Sequence, residues 1–165
     1  MNSDPDESAR QLSARYHVYS LVCILLVGLL LSTIFPFREG IENFFEWGSV
    51  LAFTTFLSPY LEAFVALLCW RKSRDSHPFV KENSRKLLNF QISSALYSTV
   101  LINFLYLLAR AASQPSYLGG WMVLAFFILL APLILIFRVT TLVAGGLAAR
   151  HGQILKHPFS IPFFH

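Results

Sequence analysis

Glu62 and Arg138 are the residues of this 165-residue chain whose chemistry is most out of place. Glu62 stands in an apolar run between Trp47 and Trp70, and Arg138 in another between Trp121 and Ala149. A charge inside a segment long enough to cross a bilayer is costly unless it is paired, protonated or turned to water. Two roles are open to such charges: a polar path for a solute, or a structural link between helices. In continuous helices Glu62 lies ~13 Å inside Arg71, and Arg138 ~18 Å inside Arg150. The two depths differ by about one helical turn, within reach of an arginine side chain, which predicts an intramembrane Glu62–Arg138 ion pair.

The other reactive residue types form no recognisable centre. His17 reads as an interfacial residue, and His77, His151, His157 and His165 have no carboxylate at ligand spacing. There is no His-Glu-x-x-His helix, Gly-rich phosphate loop or Gly-x-Ser-x-Gly elbow. Cys23 and Cys69 are single cysteines within apolar runs and read as packing residues. The expectation is therefore no catalytic residue, no metal and no cofactor.

The elements that position these residues are membrane spans. The chain is 55% hydrophobic and only 13% charged, where a soluble domain carries roughly twice that charge. Its mean hydropathy of +0.57 points to lipid as the solvent. A net charge of +4, with no basic stripe interleaved with aromatics, fits a membrane surface better than nucleic acid. Residues 1–15 are polar and show no periodic apolar face, so they read as a flexible tail. Spans follow at about 16–37, 47–70, 87–109 and 121–149, each long enough for a ~30 Å core, the last with an end free to protrude. Pro59 and Pro132 should kink the second and fourth. Asn89, Gln91, Ser93, Ser94 and Asn103 on the third are placed to hydrogen-bond between helices. Residues 150–165, with Pro158 and Pro162, should lie extended at the interface. The fold class is all-α, an integral membrane four-helix bundle.

Lys and Arg set the orientation. Arg71, Lys72, Arg74, Lys81, Arg85 and Lys86 crowd the middle connection, and Arg10, Arg15, Arg150 and Lys156 fall on the same side. Only Arg38 and Arg110 fall on the other, so both termini should be cytoplasmic. The six middle residues should contact anionic headgroups, at about 1 kcal/mol each.

One motif is more specific. His77, Pro78, Phe79 and Val80, then Asn89, Phe90, Gln91, Ile92, Ser93 and Tyr97, with Gly152 and Pro158 near the end, resemble a family of small multi-span bacterial membrane proteins. That family is grouped with the Tic-twenty-like proteins, distant relatives of a chloroplast inner-envelope translocon subunit. The resemblance implies a bacterial-type inner or thylakoid membrane and a partner of larger membrane complexes, with no catalytic residues. Two functions follow as expectations: a non-catalytic accessory or assembly subunit that associates with other membrane proteins or itself, in protein translocation as the resemblance implies, or a small-solute or protein channel or transporter component acting as an oligomer. In the second, Glu62, Asn103 and Arg138 would line a polar path.

Overall fold

Three helix ends lie where side chains or glycine satisfy the backbone groups a helix leaves open. A computed structural model describes residues 5–34, 41–112, 117–157 and 159–164. Its regular elements are four helices: α1 (Glu7–Ile34), α2 (Ile41–Lys72), α3 (Pro78–Ala112) and α4 (Tyr117–Arg150). All four are long and apolar enough to cross a membrane, and no strand occurs among the described residues.

Asp6 caps α1. Its Oδ1 accepts the Ala9 N–H at 2.8 Å and the Ser8 hydroxyl at 3.1 Å, the arrangement that satisfies an open N-terminal donor. The Ala9 N–H, reinforced by Ser8, holds the Asp6 carboxyl below its ordinary range. The helix thus starts nine residues before the expected Tyr16, and Glu7 to Arg15 are not a flexible tail. Ala9, Ser13, Tyr16, His17, Ser20, Cys23, Ile24, Val27 and Leu31 are buried along one face. Small residues carry that face at its polar end, which is why no apolar period is visible there.

At α3, Pro78 takes the first helical position, where its missing N–H is not needed. The His77 carbonyl accepts the N–H groups of Val80 and Lys81, and its Nδ1 accepts that of Phe79. One helix of 35 residues therefore starts nine residues before the third span expected at 87–109. Helix α4 ends in a Schellman turn: Gln153 N–H bonds the Ala148 carbonyl and Gly152 N–H that of Ala149. Gly152 sits at φ +71°, where a side chain would be strained.

Helix α1 packs between α2 and α4, and α2 also packs on α3 and reaches across to α4. The bundle is polar within and apolar without. Thr55, Ser58, Glu62, Gln91 and Arg138 are buried, whereas Leu25, Leu29, Val100, Leu129, Leu133 and Ile136 are more than 60% exposed. That distribution fits lipid, which is as apolar as leucine and drives none of it inward.

Candidate functional site

A polar knot joins α2 to α4 at mid-bundle. Thr55, Ser58 and Glu62 lie at i, i+3 and i+7, one face of α2. Pro59 has no N–H, so the Thr55 carbonyl four residues earlier loses its helical donor. Arg138 supplies one: its Nη1 donates to that carbonyl at 3.1 Å and to the Ser58 hydroxyl at 3.0 Å. Its Nη2 donates to Glu62 Oε1 in a salt bridge with both side chains buried. The Thr55 hydroxyl donates to the Leu51 carbonyl and reaches the Ala131 carbonyl at 3.2 Å, beside Pro132. Gln91 of α3, fully buried, approaches the Glu62 carboxylate without a hydrogen bond of ordinary geometry. Arg138 thus neutralises Glu62 and at the same time mends the backbone that Pro59 opens.

A second polar cluster lies nearer the basic end, where the chain after Arg150 turns back onto α3. The Ile161 N–H donates to Ser93 Oγ at 2.8 Å, and Ser93 donates to the Asn89 carbonyl. Asn89 holds the Phe164 backbone at both groups, accepting its N–H at 3.1 Å and donating to its carbonyl at 3.2 Å. Tyr97 donates to the Phe159 carbonyl at 2.8 Å, and Phe164 packs on Trp70 with ring centres 5.0 Å apart. Phe159 takes φ +58°, uncommon outside glycine, where the tail reverses.

His157 wedges this tail into the bundle. Its ring stacks between Phe90 of α3 at 4.8 Å and His17 of α1 at 5.7 Å. The His17 Nδ1–H faces the Ser13 carbonyl at 3.2 Å. On α4, Gly145 makes the room: a Cβ there would fall 2.6 Å from the His17 ring. His17 is thus only 2% exposed, rather than interfacial. Burial, with His17 and Lys86 adding to it, pushes the His157 imidazole down to about 3.

The motif residues resolve into these roles. His77 caps α3 and Pro78 opens it; Phe79 and Val80 are buried, and Ile92 packs on the same core. Asn89, Phe90, Ser93 and Tyr97 receive the tail, and Gly152 starts its turn. Pro158 lies outside the described residues. Asn89 and Ser93 therefore bind tail backbone rather than another helix. Among the basic residues, Arg85 and Lys86 reach Glu82 at 2.6 and 3.5 Å, and Arg74 stacks over Trp70 at 4.5 Å. Arg71, Lys72 and Lys81 are exposed at the same end. Asn103 bonds its own helix at the Thr99 carbonyl and is exposed, so it does not join Glu62 and Arg138. Ser58 and Thr55 escaped the sequence reading, although the i, i+3, i+7 spacing ending on Glu62 was an available signal; His157 was read only as one of four histidines without a ligand partner.

Residues 42–164 match the family model described as the MamF/MmsF magnetosome magnetite crystal formation protein family. The chain belongs to this family. As a MamF/MmsF member it is a multi-pass integral membrane protein of a bacterial membrane, involved in magnetosome magnetite formation. This overturns the resemblance to Tic-twenty-like proteins and the translocation role it implied. The residues behind that resemblance cap helices and seat the tail, so they report a way of folding rather than a partner. Neither the curated proteins nor the solved structures contain a significant match to the chain.

Proposed function

We propose that this MamF/MmsF protein is a non-catalytic structural subunit, which supports magnetite crystal formation by associating with other membrane proteins or with copies of itself. The observation that carries this reading is the mutual neutralisation of Glu62 and Arg138 inside the bundle, with Arg138 also bound to Ser58 and the Thr55 carbonyl. Charges that serve a transport path change partners as a solute passes. Here Arg138 donates to the Thr55 carbonyl, Ser58 and Glu62, all on α2, and Asn103 is exposed. The large outward-facing apolar surface suits lateral association within the membrane.

The test is complementation of a strain lacking the protein. A Glu62→Gln/Arg138→Gln double variant, expressed at wild-type level, should restore crystal size and number seen by electron microscopy. Loss of crystals with the protein folded and correctly located would favour the channel or transporter reading. Co-purification in mild detergent should bring down a membrane partner or a defined oligomer; a strictly solitary monomer speaks against the subunit role.

The Lys and Arg asymmetry supports placing both termini in the cytoplasm. A cysteine at the exposed Asp75 should resist an impermeant thiol reagent added to spheroplasts, while one at Ser116, outside the described residues, should react. The reverse pattern would invert the orientation.

A further inference from the structure

A cleft of about 890 Å³ runs between α1 and α4 at the basic end of the bundle. Arg10, Arg15 and Arg150 line its polar end, with Glu7 as the lone carboxylate there. Its deeper walls are mainly apolar, formed by Val18, Leu21, Leu142, Val143 and Leu147 together with His17. Glu7 accepts a hydrogen bond from Gln11 and Arg10 donates to the Pro5 carbonyl. Arg15 and Arg150 are exposed, and neither forms a salt bridge among the described residues. Three guanidiniums against one carboxylate leave an excess of positive charge at the mouth.

We propose that this cleft holds one anionic phospholipid, with its phosphate between Arg15 and Arg150 and an acyl chain along the apolar walls. The geometry matches both halves of such a molecule. Leu21 lies six residues beyond Arg15 and Leu142 eight before Arg150, so the apolar walls extend ~9–12 Å inward from the guanidiniums. A free phosphate would satisfy the arginines yet leave Val18 and Val143, each over 40% exposed, without cover. Arginine also offers the planar, paired donors that phosphate oxygens accept. This site is separate from the basic connection between α2 and α3, where Arg85 and Lys86 are already held by Glu82.

The experiment is native mass spectrometry of the full chain in a neutral detergent, titrated with phosphatidylglycerol or phosphatidylcholine of the same chain length. One phosphatidylglycerol should be retained at least tenfold more strongly than phosphatidylcholine. Arg15→Gln/Arg150→Gln should abolish that preference, and Arg110→Gln, in the last turn of α3, should leave it intact. Val18→Trp/Val143→Trp, which obstructs the walls and keeps every arginine, should lose the lipid as well. Equal retention of the two lipids would overturn the proposal, as would loss in the Arg110 variant with retention in the Arg15/Arg150 variant. Full displacement by glycerol 3-phosphate would also overturn it, because the site would then bind a soluble phosphate.

Discussion

The Glu62–Arg138 knot and the tail seated on α3 are two solutions to one problem, the burial of polar groups in a bundle surrounded by lipid. In the knot, two full charges meet between helices, with Ser58 and the Thr55 carbonyl sharing Arg138. In the tail seat, neutral side chains of Asn89, Ser93 and Tyr97 hold backbone groups of Ile161, Phe164 and Phe159. The knot lies at mid-bundle on continuous helices, where a lost partner leaves a charge behind in low dielectric. The tail seat lies near the polar end, on a segment free at one terminus, where each bond is worth a net ~0.5–1.5 kcal/mol. The difference predicts one part that fails as a unit and another that detaches stepwise.

The largest effect should come from the knot. Glu62→Gln and Arg138→Gln should each lower thermal stability in detergent by about 3–5 kcal/mol. A loss no greater than that of a tail variant would erase the contrast between the two regions.

Asn89→Ala should cost about 1–3 kcal/mol, since it removes both of the Phe164 bonds from a buried seat. Hydrogen exchange at the Ile161 and Phe164 amides should accelerate while the α2 amides around Thr55 stay protected. Equal acceleration in both places would show that tail and knot open together.

Gly152→Ala tests the start of the tail without touching its bonds. The left-handed backbone there costs a non-glycine residue about 1–2 kcal/mol, and the new methyl would lie 3.1 Å from Arg10 Nε. Exchange should rise in residues 153–164 and remain unchanged in α3.

Mild acid should produce the smallest loss. His157 titrates near 6.5 when the tail is free and at about 3 when it is seated, so the free tail takes up the proton first. Seating is therefore fully stable above about pH 6.5 and weakens as pH falls toward 3. At pH 5.5 the loss is on the order of 1 kcal/mol, read as faster exchange at Ile161; His157→Phe should remove most of this dependence.

How far each region could be read from sequence follows from the same contrast. Glu62 and Arg138 announced themselves because charges are scarce within spans, and their depths left few pairings. The four spans were visible from length and apolarity alone. Their ends were less so: α1 reaches back to Glu7 through Ala9 and Ser13, small residues that make a packing face without an apolar signature. The tail seat was hidden for another reason. Its acceptors and donors on residues 159–164 are backbone groups, which every sequence carries alike, so nothing named them as partners of Asn89 or Ser93. His157 looked like a surface histidine because the cavity that takes it is built by Phe90, His17 and Gly145 from three separate helices. The motif from His77 to Tyr97 misdirected the family reading, since a folding role says nothing of the process served.

The most direct test of the central claim, that the two intramembrane charges exist for each other, is a thermal double-mutant cycle at Glu62 and Arg138 in one detergent. The Glu62→Gln/Arg138→Gln variant should recover much of what either single change loses, giving a coupling of several kcal/mol. Losses that simply add would contradict the account, and each charge would then answer to a separate partner.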